Sequence, residues 1–136
     1  MTMFIDKGRT DGAGPNPGYI GEVLNFTSRT VTVSAGTAWY GNATKLVTLT
    51  AGSWLIFGNG TLDATRVFST AISTNGNNDN SGFIAGGTQA SAIAGSNVAA
   101  QPIAVYNTTG IDIYAKAYIF GASGSVAVSG FAVRIA

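Results

Sequence analysis

From Tyr19 onward the chain alternates short runs of β-branched and aromatic residues with clusters of Gly, Asn, Ser and Thr, roughly every ten residues. This pattern predicts an all-β sandwich or barrel, because branched and aromatic side chains favour strands and the small polar residues favour turns. Residues 85–100 are rich in Ala but interrupted by Gly, which predicts a loop with a short strand. The predicted strands are residues 20–26, 30–34, 45–50, 54–62, 65–74, 102–107, 111–120 and 125–135.

The last two predicted strands carry apolar residues on both faces. In residues 111–120, Ile and Ala alternate with a second set that contains two Tyr and one Phe, and residues 125–135 behave similarly. The outer face of a sandwich is normally polar, so this pattern indicates either a strand covered by a loop or a face against another subunit. We favour the subunit contact because several strands show it. The predicted oligomer interface comprises Ile113, Tyr114, Tyr118, Phe120, Val128 and Phe131.

The first 18 residues differ from the rest of the chain. Four charged residues precede a run of Gly and Pro at residues 12–18 that permits neither a helix nor a central strand. We therefore predict an extended arm over residues 1–18 and one domain over residues 19–136. A chain of 136 residues is within the usual range for a single domain.

Charge is scarce in this sequence. Charged residues make up 10% of the chain, against about 25% in an ordinary soluble domain, while hydrophobic residues make up 46%. Such a surface favours burial against other copies of the chain, so we expect a homo-oligomer. The net charge of +1, without a cluster of Lys or Arg, argues against nucleic-acid binding.

No targeting or membrane-spanning segment is predicted. The amino-terminal residues lack the basic start and apolar middle of a signal peptide, and no apolar run approaches the roughly 20 residues of a membrane helix. We therefore expect synthesis in a cytoplasm and no membrane insertion.

The composition also limits the chemistry. The chain has no His and no Cys, which excludes Ser-His-Asp and Cys-His catalysis as well as imidazole and thiolate metal ligands. The carboxylates of the predicted domain are scattered, so a carboxylate-based glycan hydrolase is the only enzyme class left. We predict a protein without enzymatic activity and without a cofactor. These carboxylates are Glu22, Asp63, Asp79 and Asp112.

Two features offer binding chemistry. Residues 75–82 carry oxygen-bearing side chains in a pattern distantly similar to a calcium loop, but they lack its terminal Glu and contain a single Asp. We favour a hairpin loop, because Asn and Gly suit tight turns. Trp39, Tyr40 and Trp54 are candidates for stacking on sugar rings, and packing in the core or an interface is the favoured alternative.

Five segments of the chain carry a family resemblance: GYIGEVLNFTSRTVTVSAGTA, VTLTAGSWLIFGNGTL, TAIST, GGTQAS and IDIYAKAYIFGASGSVAVSGFAVRI. Together they resemble the C-terminal tip domains of bacteriophage tail fibres and related phage capsid decoration proteins. The resemblance spans residues 18–136 and implies a small antiparallel jelly-roll sandwich, related in shape to the tumour-necrosis-factor fold, with a trimer favoured. In that family a basic pair precedes the last aliphatic residue, whereas here only Arg134 precedes Ile135.

The resemblance implies a structural role on the outer surface of a virion. Tail-fibre tips follow long stalks, whereas this chain offers only a short arm, so we expect a capsid decoration (cement) protein. Its apolar faces and its arm would clamp neighbouring capsid subunits. The alternative is a receptor-binding tip of a tail fibre that recognises host surface glycan or protein through Asn77, Asp79 and Asn80. The arm residues expected to contact the capsid are Phe4, Ile5, Lys7, Arg9, Pro15 and Pro17.

Overall fold

A computed structural model describes residues 17–62, 67–85, 90–91, 96–99 and 103–136. Within these ranges the regular elements are all β-strands. The described residues contain no helix that is long and apolar enough to cross a membrane. The strands are β1 (Val23–Asn25), β2 (Arg29–Val33), β3 (Tyr40–Gly41), β4 (Val47–Leu49), β5 (Gly52–Leu62), β6 (Val67–Ser73), β7 (Phe83–Ala85), β8 (Ala90–Ser91), β9 (Ser96–Ala99), β10 (Ile103–Asn107), β11 (Ile111–Ile119) and β12 (Gly124–Arg134).

The strands form two antiparallel sheets. In sheet A, β12 and β5 lie in the centre, β1 and β2 share the edge beside β12, and β9 and β10 share the edge beside β5. In sheet B, β11 and β6 lie in the centre, with β3 and β4 beside β11 and β7 and β8 beside β6. Each sheet therefore has four strand positions, and both outer positions are divided into two short strands.

The core fills the space between the sheets. Burial alternates along the long strands, so one face of each sheet points inward, as in other sandwiches. Complete burial of a large apolar side chain contributes about 1.5–3 kcal/mol, and residues from both sheets contribute in this way. Fully buried members include Trp54, Ile56, Leu62, Phe68, Ile113, Ile119, Val126 and Val128.

The predicted all-β antiparallel sandwich is confirmed. Each of the eight predicted strands overlaps a strand of the structure, and the hairpin loop is confirmed between β6 and β7. The short strands β3 and β7 fall in segments predicted as loop, and the segment predicted to hold one short strand contains β8 and β9. A two- to four-residue strand carries too little alternation to be recognised. The jelly-roll connectivity and the division at residue 18 stay predictions.

Arg134, at the end of β12, binds residues that directly precede β1 and β5. Its Nε donates to Oε2 of Glu22 at 3.0 Å, and its Nη1 donates to the carbonyl of Ala51 at 2.8 Å. The guanidinium also lies 4.5 Å from the ring centre of Trp54. Gly52 has φ of +138°, and a Cβ there would lie 2.2 Å from Nη1, so only Gly fits. These contacts explain why Gly52, Trp54 and Arg134 occur together in the sequence.

Candidate functional site

The outer surface of sheet A has an apolar half and a polar half. Across β1, β12 and β5, one row places Val23, Val133 and Leu55 side by side, and Phe131 lies opposite Phe57 in the next row. The rows beyond carry Asn, Ser, Thr and Ala. We call the first set, with Tyr106 of β10, the apolar face: Val23, Leu55, Phe57, Tyr106, Phe131 and Val133.

The apolar face is open to solvent and uncharged. Phe57 and Phe131 stack with ring centres 5.0 Å apart, while Tyr106 is 74% exposed and Val23 is 49% exposed. Among the described residues, every charged side chain belongs to the core side of a sheet or to sheet B and its loops. A contiguous apolar patch of this kind is typical of a protein–protein contact.

The predicted oligomer interface does not form one surface. Phe131 belongs to the apolar face, whereas Tyr114, Tyr118 and Phe120 lie on the outer surface of sheet B. Their assignment to an interface stays a prediction.

Two residues of that predicted interface are corrected by the structure. Ile113 and Val128 have no exposed surface, because both point into the core between the sheets. The alternation along each strand identified two faces correctly, but both faces were apolar, so it could not indicate the inward one. Ile113 and Val128 are core residues.

A buried lysine lies on the outer surface of sheet B. Lys116 of β11 is fully buried beneath the loop formed by residues 74–82, which joins β6 to β7. Its Nζ donates to the carbonyl of Asp79 at 2.9 Å, to Oδ1 of Asp79 at 2.8 Å and to the carbonyl of Ser81 at 2.9 Å. Phe83 lies below the ammonium at 5.5 Å. The cation bound by this loop is therefore a side chain of the same protein.

The Asp79 carboxylate is held in one position. Its Oδ1 accepts from Lys116 and also from the backbone and hydroxyl of Ser81, at 2.9 and 2.6 Å. The hydrogen bond from Lys116, followed by those from Ser81, holds the pKa of Asp79 far below its usual range. Asp79 is ionised across the physiological pH range, and the hydrogen bonds described for its carboxylate are all accepted by Oδ1.

The loop also contacts β3. The backbone N–H of Gly41 donates to Oδ1 of Asn78 at 3.1 Å, and Asn75 donates to Ser81 within the loop. The predicted receptor residues Asn77, Asp79 and Asn80 lie on the exposed side of this loop. Their role in receptor binding stays a prediction.

An aromatic cluster continues this surface. Trp39, just before β3, meets Phe83 edge-on at 4.9 Å and Tyr118 at 5.7 Å, and Tyr118 meets Phe120 at 4.6 Å. Trp39 is half-buried, because the pairing of β3 with β11 carries it over the sheet. Of the other two candidate sugar-stacking residues, Trp54 is buried in the core and Tyr40 packs against the core.

A cleft of about 280 Å³ lies between this cluster and the loop. We call it the sheet B cleft. Its walls combine two aromatic rings with a carboxylate, an amide and a hydroxyl. Trp39 and Asp79 are candidates for separate roles in the sequence, and no local pattern indicates that they share a cleft. The lining residues are Thr37, Ala38, Trp39, Asp79, Asn80 and Tyr118.

The described carboxylates outside the loop of residues 74–82 lie apart and have separate partners. Glu22 accepts from Arg134 and from the backbone of Gly18, and Asp112 accepts from Thr48 and Lys45. The hydrogen bond from Thr48 and the charge of Lys45 lower the pKa of Asp112. Asp63 lies outside the described residues. In the described part of the chain, no three acidic, His or Cys residues cluster as metal ligands would.

Most of the predicted arm lies outside the described residues, including Phe4, Ile5, Lys7, Arg9 and Pro15. Pro17 is described and exposed. Directly after it, the N–H of Gly18 donates to Oε2 of Glu22 at 2.6 Å, the same atom that accepts from Arg134. Gly18 is thus held to the sandwich through Glu22.

Comparison with known proteins gives no relative. No family model matches this chain, and no curated protein or solved structure matches it. The sandwich and its two outer surfaces are therefore the basis for the functional argument.

Proposed function

We propose that this chain is a structural protein of a bacteriophage virion, and specifically a capsid decoration protein that acts as a homo-oligomer on the outer surface. The observation that carries the proposal is the apolar face. Its stacked aromatic rings and absence of described charges match the buried centre of a subunit interface rather than a solvated surface. We favour a trimer, in line with the resemblance to phage tip domains.

The strand order supports the jelly-roll part of this proposal. Successive strand positions change sheets along the described chain, and the β6–β7 hairpin is the step that stays within one sheet. Connections of this kind belong to jelly rolls, which occur in viral capsid proteins. The connectivity therefore supports the jelly-roll fold class.

The proposed mechanism is adhesion. Apolar faces join copies of the chain, and the arm over residues 1–18 lies across neighbouring capsid subunits. Ordering each arm residue costs about 1–2 kcal/mol of conformational entropy, so attachment needs many small contacts over several subunits.

Light scattering coupled to size-exclusion chromatography tests the oligomer. We expect a mass that is a multiple of 13.8 kDa at micromolar concentration. Phe131→Lys should shift the protein towards a monomer. Val67→Lys is the matched control, because Phe131 and Val67 are 40% and 39% exposed but lie on opposite sheets. A monomeric wild-type protein, or dissociation by Val67→Lys alone, would overturn the assignment of the apolar face.

Capsid attachment is tested separately. Deletion of residues 2–17 should abolish co-sedimentation with capsids while leaving the mass of the free oligomer unchanged. Full capsid occupancy by the truncated protein would contradict the role proposed for the arm.

The second candidate function is that of a receptor-binding tip, favoured by the loop that Lys116 fixes on sheet B. A rigid loop with exposed polar side chains loses little entropy on binding, and several copies would strengthen a weak single contact. Direct binding of the purified protein to host cells tests it, and no binding at high protein concentration would count against it.

A further inference from the structure

We propose that the sheet B cleft binds a neutral pyranose sugar. The inference deepens the receptor-binding candidate, because it names a ligand class and the residues that hold it. It is also testable on the purified protein without a virion or a host cell.

The aromatic wall of the cleft suits the apolar side of a sugar ring. The ring centres of Trp39 and Tyr118 lie 5.7 Å apart and their planes are inclined by 58°, so the two rings form adjacent aromatic surfaces of the cleft. The C–H groups on one side of a pyranose can lie against the face of one such ring, because an aromatic ring has a negative face. Trp39 is half-buried, so part of its ring is accessible.

The opposite wall supplies hydrogen-bonding groups. All the hydrogen bonds of the Asp79 side chain end on Oδ1, so Oδ2 can accept from a sugar hydroxyl. Among the described residues, the Asn80 amide, the Tyr118 hydroxyl and the Trp39 indole N–H have no partner in the protein. The cleft thus combines free donors and acceptors, the combination that a polyhydroxylated ligand requires.

The polar wall is held in place before any ligand binds. Lys116 fixes Asp79 by two hydrogen bonds, and Gly41 fixes Asn78 next to it. Preorganisation of this kind favours binding because the loop loses little freedom when a ligand arrives. Lys116 is therefore a positioning residue for the cleft and does not contact the ligand.

The charge balance favours a neutral ligand over a cation. A quaternary ammonium group needs aromatic rings on several sides of an open centre, together with an unpaired anion. Here the two rings that line the cleft touch each other, and the charge of Asp79 is matched by Lys116. The volume of about 280 Å³ is at the lower end for small-molecule sites, which suits a single sugar ring.

Titration of the full-length protein with methyl glycosides of glucose, galactose, mannose and N-acetylglucosamine tests the inference. Two-dimensional NMR is the readout, and the indole N–H signal of Trp39 is the reporter. Trp54 is fully buried and serves as an internal reference. We expect at least one glycoside to shift the Trp39 signal with a dissociation constant on the order of 1 mM, a value typical of a small, weak contact.

Two Asn variants locate the site. Asn80→Ala removes a side chain that lines the cleft, and we expect a loss of affinity of about fivefold or more, in line with the loss of one hydrogen-bonding group. Asn25→Ala is the matched control, because Asn25 is exposed on β1 of sheet A and does not line the cleft. We expect that variant to bind like the wild type, and Trp39→Ala to lose binding while retaining its far-ultraviolet circular dichroism.

The sugar titration and the cell-binding experiment together distinguish the proposed sugar site from the proposed receptor role. Sugar binding without cell binding would support the sugar site and contradict the receptor candidate. Cell binding without any response of Trp39 to the four glycosides would overturn the sugar site alone. Equal losses in the two Asn variants, or a stronger response to tetramethylammonium than to every glycoside, would also overturn it.

Discussion

The ammonium of Lys116 lies 2.8 Å from Oδ1 of Asp79, and the two residues differ sharply in exposure: the lysine side chain is fully buried and the aspartate side chain is 48% exposed. The ion pair therefore joins the surface of sheet B to the outside of the loop. The same ammonium donates to two backbone carbonyls of the loop, which makes it the centre of the loop's hydrogen bonding.

Replacement of this lysine should loosen the loop. In Lys116→Met, the carbonyls of Asp79 and Ser81 lose a charged donor in a buried place, and we expect the free energy of unfolding to fall by about 2–3 kcal/mol. Urea denaturation measures this as a lower midpoint. Lys45→Met is the control, because Lys45 and Asp112 form an exposed pair that contributes less than about 1 kcal/mol. Equal losses in the two variants would contradict this account.

Stability should depend on pH in the acid range. The folded protein lowers the pKa values of Asp79 and Asp112 below the ordinary value of 3.8, so the unfolded chain takes up protons first as the pH falls. The stabilisation is fully present above about pH 5 and decreases progressively below about pH 4. The urea midpoint should fall as the pH is lowered from 5 to 3. In Asp79→Asn the midpoint should depend less strongly on pH. A midpoint independent of pH in this window would refute the assignment.

The guanidinium of Arg134 should not be replaceable by an ammonium. A lysine can keep the ion pair with Glu22, but it cannot also reach Thr50 and Ala51 or cover the Trp54 ring. We expect Arg134→Lys to lower the free energy of unfolding by about 2–4 kcal/mol.

Arg29→Lys is the matched control for that variant. Arg29 is half-buried and its Nε donates to one backbone carbonyl, that of Lys45 at 2.9 Å. We expect a loss below about 1 kcal/mol there, since an ammonium can make a single contact of this kind. A similar loss of unfolding free energy at both positions would show that the additional contacts of Arg134 do not contribute to stability.

Removal of the buried Thr70 hydroxyl should stabilise the protein. Thr70 of β6 is 1% exposed, and its Oγ1 is a buried polar atom without a hydrogen-bond partner. Thr70→Val keeps the shape of the side chain and should raise the free energy of unfolding by about 1 kcal/mol, because it removes an unsatisfied polar atom. Thermal unfolding measures the change. Thr48→Val should be destabilising by contrast, since the Thr48 hydroxyl donates to Asp112; a stabilised Thr48→Val would argue against this reasoning.

The sequence predicts the sandwich well because its signal is local. Alternation along β5, β11 and β12 reflects which side chains share a face, and the turns between the strands are marked by Gly, Asn and Ser. Two of the glycines show how specific this marking is. Gly121 and Gly110 both have positive φ in turns beside β11.

The sequence could not predict which outer sheet faces are covered by a loop, because this depends on which strands pair in the fold. A strand that is apolar on both faces is compatible with a covering loop or with a subunit contact. In the structure, the loop over Lys116 covers part of the outer face of β11, while the outer face of β12 stays open around Phe131. The position of Trp39 beside Asp79 likewise follows from the pairing of β3 with β11, which no local pattern encodes.

The division of every outer strand position into two short strands limits how copies of the chain can pair through their sheet edges. A long straight edge would offer a row of free backbone donors and acceptors to a neighbouring molecule and so nucleate fibres. Here β1 and β2, β3 and β4, β7 and β8, and β9 and β10 break each edge. Crowding many copies at high concentration should consequently produce closed assemblies joined through sheet surfaces, and the solution should remain free of filaments.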